Sequence, residues 1–185
     1  MQNGKIILLN GASSSGKTSI ATALQKQLKS TYLHVGIDTF IKMFPNDYVA
    51  AEDEEKRKRI LSAMHACITM LASTGHNLIV DHVIDEPDFM NNIISQLSNF
   101  KVTFVGVHCP LEILEMREAS RSDRQFGLAK SHFQKVHVDK MYDFEIDTSQ
   151  SSPKECAHKI IDYIHDSKMA LSAFDKLHLV TQILY

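Results

Sequence analysis

The residues Gly11-Ala12-Ser13-Ser14-Ser15-Gly16-Lys17-Thr18 match the pattern G-x-x-x-x-G-K-[ST]. Every position suits the capture of a polyphosphate. Gly11 and Gly16 let the backbone curl until successive N–H groups face phosphate oxygens. Ser13, Ser14 and Ser15 are small enough not to block the approach. Lys17 brings a mobile ammonium to the β- and γ-phosphates, and the Thr18 hydroxyl is of the kind that ligates Mg²⁺. A helix starting at Lys17 aims its positive end at the same anion. The cradle therefore implies a nucleotide, with ATP and Mg²⁺ as the expected pair.

Two carboxylates are candidates to work beside it. Asp38 follows the apolar segment Tyr32–Val35 and Gly36-Ile37, and is placed to accept the proton of an acceptor hydroxyl. Asp81 follows Asn77-Leu78-Ile79-Val80, an apolar run ending in Asp that suits orientation of Mg²⁺. Either aspartate could instead be a turn or helix-cap residue. His82 reads as a neutral surface histidine, with acceptor contact as the alternative. Arg117, Arg121 and Arg124, with Lys130 beyond, form a basic segment suited to stabilising the charge of a transferring phosphoryl group and to excluding water. Spacing alone does not say which arginine meets phosphate and which meets the base.

These residues need elements to hold them. Lys5–Leu9 carries a short continuous apolar run, as expected of a parallel strand buried on both faces. Helical spacing runs over about 17–29, 54–73, 86–97, 111–119 and 155–165, with Pro110 and Pro153 at helix starts. Further strands fall at Tyr32–Val35, Asn77–Val80, Val102–Val107 and Phe144–Asp147. Residues 39–50 carry no clear pattern, and Pro45 marks a break. Strand and helix alternate throughout, which specifies an α/β fold: a parallel five-stranded sheet flanked by helices and joined by right-handed crossovers. Residues 1–165 read as one P-loop domain carrying an arginine-rich lid at about 117–130. Residues 166–185 read as an amphipathic helical extension that packs on the same domain or on a partner, another copy of the chain included.

The bulk numbers exclude several classes. The 185 residues are 44% apolar and 23% charged, with a formal net charge of −2. That balance argues against nucleic acid as a partner. There is no run of about 18 apolar residues and no long apolar leader, so a cytoplasmic protein is expected. Cys67, Cys109 and Cys156 are too few and too scattered for a disulfide framework or a zinc site, and read as small buried residues. The ten histidines show no metal-ligand spacing.

Taken together, the segments resemble the chloramphenicol phosphotransferase-like proteins of the P-loop kinase group. The resemblance rests on Ile6–Gly11 running into Ser13–Thr18, on Gly36-Ile37-Asp38-Thr39-Phe40, on Asp81-His82-Val83 and on Val105-Gly106-Val107-His108-Cys109. Arg117 to Arg124 with Arg121-Ser122-Asp123-Arg124, Val136-His137 and Tyr142–Ser149 complete it. It implies ATP-dependent transfer of the γ-phosphate to a hydroxyl of a small molecule, which in the namesake is chloramphenicol. It also implies Asp38 as catalytic base and a nucleobase lying near the lid and about Thr148–Pro153. Sugars, shikimate-like acids, nucleosides and other antibiotics remain alternative acceptors. A nucleotide, nucleoside or nucleic-acid-end kinase, and a nucleotide-binding regulatory protein without kinase activity, are the competing readings. The acceptor pocket is expected among residues 38–60, 82–90 and the lid, with Phe40, Phe44, Phe89 and Phe126 as candidates for its wall or for the core.

Overall fold

A computed structural model describes residues 2–45, 53–120, 127–166 and 172–184, with side chains as far as Leu179. Its strands are β1 (Ile6–Asn10), β2 (Tyr32–Gly36), β3 (Asn77–His82), β4 (Val102–His108) and β5 (Phe144–Asp147). They form one sheet in the order β2-β3-β1-β4-β5. Every pairing is parallel. The helices are α1 (Lys17–Gln27), α2 (Ile37–Ile41), α3 (Glu54–Ser73), α4 (Pro87–Leu97), α5 (Leu111–Ala119), α6 (Leu128–Phe133), α7 (Pro153–Asp166) and α8 (Ala173–Leu184).

Alternation along each strand divides the core between the two faces of the sheet. Ile6 and Leu8 of β1, Leu78 and Val80 of β3, and Val102 and Phe104 of β4 pack on one face with α3, α4 and Phe174 of α8. Ile7 and Leu9, Ile79, and Val105 and Val107 point the other way, against α1 and α7. β1 is buried along its whole length because it is paired on both sides and covered on both faces. That is why its sequence is a continuous apolar run.

Local chemistry sets several boundaries. Asp53 caps α3 by accepting hydrogen bonds from the Glu55 and Lys56 amides at 3.0 and 3.2 Å. Pro87 opens α4, where a missing N–H has no consequence. The unpatterned stretch after β2 contains the five-residue helix α2. Helix α6 begins at the end of the expected lid segment and runs beyond it, where no helix was predicted. At the C-terminal extension, the Ala173 amide donates to the Asp143 carboxylate, and the Phe174 ring meets Phe104 edge-on at 6.0 Å.

β1 leads by way of α1 to β2, on the far side of β3, whereas β3 leads by way of α4 to β4, on the other flank of β1. The chain thus changes direction of winding beside β1. In such sheets ligands bind beyond the carboxyl ends of the strands at this switch. The ends that meet there are Asn10-Gly11, Gly36–Asp38, Asp81–Val83, His108-Cys109 and Asp147-Thr148.

Candidate active site

The Gly/Ser loop leaves β1 and enters α1 directly. Ser15 N–H bonds Ala12 C=O at 3.2 Å, and Ser14 and Gly16 take positive φ of 64° and 92°. Gly11 is required for another reason: a Cβ there would lie 2.4 Å from the Val107 carbonyl oxygen of β4. The Lys17 ammonium lies within the loop, donating to the carbonyls of Gly11 and Ala12 at 2.9 and 2.8 Å. The buried hydroxyls of Ser14 and Ser15 have no hydrogen-bond partner among the described residues.

Asp81 is the penultimate residue of β3, within the strand rather than after it. Val80 faces α3 and α4, so Asp81 faces the α1 side, where Thr18 donates to its Oδ2 at 2.6 Å and Lys17 Nζ stands 3.9 Å from its Oδ1. Burial raises the Asp81 pKa. His34, Lys17 and Thr18 together outweigh burial and hold the carboxyl at about 2. His34, two residues before Gly36 on the same face of β2, places Nε2 3.8 Å from Asp81 Oδ2. That nitrogen is buried and without a hydrogen-bond partner.

The same alternation corrects the reading of His82. It faces the opposite side of the sheet from Asp81 and is 1% exposed, neither a surface residue nor part of the cavity. Its Nε2 meets His65 Nε2 at 2.7 Å, and His65 Nδ1 meets Asn92 Oδ1 at 2.6 Å. Asn92 Oδ1 also accepts from Gln96 at 3.0 Å, so it is the acceptor and His65 Nδ1 carries the proton. A neutral His65 then has a bare Nε2, and His82 donates to it. Burial first, and His65 second, hold the His82 pKa down to about 3. Burial likewise lowers that of His65, against the opposing pull of Asn92.

One cavity of about 780 Å³ brings the predicted residues together. Ser14, Gly16, Lys17, Thr18, Asp38, Asp81 and Arg117 all line it. Gly11, Ser13 and Ser15 belong to the same loop without lining the cavity wall; Ser13 N–H is directed at His132 Nδ1 of α6, at 3.4 Å. Asp38 lies in the first turn of α2. Arg121, Arg124 and Phe126 lie outside the described residues. Phe40 and Phe89 prove to be core, 8% and 5% exposed, and Phe44 packs against that core. Cys109 and Cys156 are buried as expected, whereas Cys67 is partly exposed.

Three participants have roles the sequence reading did not assign: Thr148, expected only as the start of the segment near the nucleobase, His34 and Lys42. Thr148 receives both arms of the Arg117 guanidinium, on Oγ1 at 3.0 Å and on the carbonyl at 2.9 Å, and donates from Oγ1 to Ser15 C=O at 2.9 Å. Arg117 thus ties the end of β5 to the phosphate loop. His34 and Lys42 also line the cavity. A lone histidine inside a strand and a lysine in a charged stretch carry no pattern that would single them out.

The donor set fits a magnesium–nucleotide pair. The protein supplies two hard oxygen groups, Thr18 Oγ1 and Asp81. Among the described residues there is no group of three or more His, Cys, Asp or Glu side chains able to hold a metal by themselves. Mg²⁺ keeps waters and substrate phosphates as its other ligands, so a sparse oxygen site is what it requires. The partnerless Ser14, Ser15 and His34 atoms line the same region and offer polar groups to phosphate or to ordered water.

Comparison with known proteins agrees with this geometry. The family model for chloramphenicol phosphotransferase-like proteins matches residues 4–165. The chain belongs to that family. "Putative O-phosphotransferase Rv2636" of Mycobacterium tuberculosis is 33% identical over 204 residues, covering 96% of this chain and 89% of that protein. Among solved structures, the Mycobacterium tuberculosis APS kinase CysC in complex with AMPPNP and APS superposes with a TM-score of 0.71 at 18% identity, covering 90% of this chain and all of that one. Shikimate kinase from Acinetobacter baumannii gives 0.64 at 16% identity, covering 90% and 96% of the two chains. A gluconokinase from Sinorhizobium meliloti gives 0.57 at 15% identity, with 98% and 97% coverage. At these identities the structures establish the P-loop kinase fold. The family and the fold together make the protein a phosphotransferase. No helix of the described residues is long and apolar enough to cross a membrane.

Proposed function

We propose that the protein transfers the γ-phosphate of ATP to a hydroxyl of a small molecule, with Asp38 as the base. The observation that carries this reading is the placement of Asp38 in one cavity with Lys17, Thr18 and Asp81. A carboxylate across from a phosphate cradle suits deprotonation of an alcohol. A protein that only sensed nucleotide would have little use for it.

In this mechanism the acceptor oxygen attacks the γ-phosphorus as the bond from that phosphorus to the β,γ-bridging oxygen breaks, and ADP leaves. Asp38 takes the proton released by the attacking hydroxyl. Lys17 swings from the Gly11 and Ala12 carbonyls to the β- and γ-phosphate oxygens. The loop amides and the start of α1 hold the remaining phosphate charge. Thr18 and Asp81 would hold Mg²⁺, which would supply neutralisation of phosphate charge. Arg117 keeps Thr148 and its neighbours against the phosphate loop, where the base would lie along Ser151, Ser152 and Pro153. Arg121 and Arg124 are proposed to cover the transferring group.

The test is ATP consumption by the purified protein with a panel of hydroxylated compounds, chloramphenicol included, alongside Asp38→Ala. Loss of general-base catalysis is expected to cost roughly 10²–10⁴-fold in acceptor-dependent turnover, with ATP affinity kept. An Asp38→Ala protein that turns over like the parent would remove Asp38 from the mechanism.

A further inference from the structure

The residues lining the cavity divide by their place in the chain. Gly16, Arg117, Ser120, Thr148, Ser152 and Pro153 belong to the phosphate loop and to the segments assigned above to the nucleotide. His34, Ile37, Asp38, Thr39, Lys42 and Val83 belong to β2, to α2 with its C-terminal cap, and to the turn after β3. The character of this second set is fixed by α2. Lys42 N–H bonds Asp38 C=O at 3.2 Å, one helical turn away. Asp38 and Lys42 therefore share a face, separated by about 6 Å along the axis. Both line the cavity, and so does Thr39.

The described aromatic side chains of this region point elsewhere. Phe40 faces the core. Phe89 is buried beneath the Arg57 guanidinium, whose carbon lies 4.8 Å from the ring centroid. Arg57 is itself paired with the Asp85 carboxylate. The described wall thus offers a carboxylate for a hydroxyl, a second hydroxyl, and an ammonium one turn on. A negative group entering here would meet Asp38, Asp81 and the nucleotide phosphates, all of the same sign, so it needs a cation of its own. Lys17 serves the phosphates, which leaves Lys42 as the described cation of this second set placed to receive it.

We propose that the acceptor is a small polar alcohol bearing a negative group, of the hydroxy-acid or sugar-acid class, and that Lys42 is the residue that reads that charge. This rests on the phosphotransferase reading above. The acceptor hydroxyl lies at Asp38 and the anionic group within reach of the Lys42 ammonium.

The test uses matched pairs that differ only in charge or nearly so: gluconate against glucose, and shikimate against its methyl ester. Rates of phosphorylation are measured with the wild type, Lys42→Gln and Lys42→Arg, and binding of the same four compounds to the protein saturated with a non-hydrolysable ATP analogue is measured by calorimetry. The expected result is a preference for the anion in at least one pair. Lys42→Gln should reduce the anion-to-neutral ratio of kcat/KM about tenfold, mainly through KM, and Lys42→Arg should restore much of it. A residue with a merely structural role would lower both members of a pair together and leave the ratio alone. Equal or better use of the neutral compounds, an unchanged ratio in Lys42→Gln, or failure of both anions to bind or react overturns the proposal. Failure of the phosphotransferase reading looks different: the analogue binds, the anions bind with the expected Lys42 dependence, and no phosphate is transferred to any alcohol.

Discussion

Removing the imidazole of His82 should change how stability depends on pH, by an amount the structure sets. His82 is neutral in the folded protein, donating to His65 in a dry core, with its pKa held at about 3. In the unfolded chain it returns to about 6.5. A base whose folded pKa is depressed contributes stability that is fully present above the unfolded value. That contribution is lost as the pH falls below it, because the unfolded state takes up the proton first. Between pH 7.5 and pH 5 the loss is about 2 kcal/mol for this one group. In His82→Leu that dependence disappears. The variant leaves His65 Nε2 without its donor, so at pH 7.5 it should be less stable by about 1–3 kcal/mol. By pH 5 the gap between the two proteins should have narrowed by about 2 kcal/mol. Urea unfolding of both proteins at half-unit pH steps reads this directly. His65 is present in both proteins, as is His137, whose pKa burial first and His108 second lower to about 4. Asp81, held at about 2, is lost only below its own unfolded range and stays outside the window. A gap that is constant from pH 7.5 to 5 would refute the argument that His82 is held neutral by burial.

Lys17→Met should abolish phosphoryl transfer, with a fall of 10²-fold or more in steady-state turnover while the fold is kept, as checked by circular dichroism. Asp81→Asn should raise the Mg²⁺ concentration needed for half-maximal turnover, since the amide brings neither the charge nor the second acceptor oxygen; a magnesium titration checks it, and chelation by EDTA should stop turnover reversibly. Thr148→Val removes the hydroxyl shared by Arg117, Ser15 C=O and His108 C=O, and should cost roughly 1–3 kcal/mol in thermal unfolding together with a raised KM for ATP. Phe174→Ala should destabilise the protein by about 3–5 kcal/mol, because the ring is 1% exposed against Phe104; urea unfolding would expose the error if α8 were only an appendage.

Much of the sheet was legible because parallel strands covered on both faces have few ways to be written. β1, β3 and β4 each read as an apolar run of the right length, and their ends fell within a residue or two of expectation. The phosphate loop was legible for the same reason, since curling a backbone around an anion demands those residue types at that spacing. What was not legible depends on which way a side chain turns. Asp81 and His82 are neighbours in sequence, yet the pleat sends one to the cavity and the other to the core, and nothing in the dipeptide says which is which. Phe40 and Lys42 likewise lie two residues apart, one in the core and the other at the cavity wall, and the short helix that separates them has no periodic signal to betray it. The role of Thr148 was hidden because it is to receive Arg117 from a segment 31 residues away, a partnership that only the folded chain creates.

The cavity wall draws on separate stretches of chain: the loop after β1 with residues around 117–120 and 148–153, and residues 34–42 with the turn after β3. On the proposed function, fuel handling falls to the first set and cargo choice to the second, written in different passages of the sequence. Drift in the cargo passage would then redirect the enzyme to another alcohol without retuning the energy source. A family built this way can diversify its customers while keeping its engine, and exchanging the β2–α2 segment between relatives is the natural way to watch that happen.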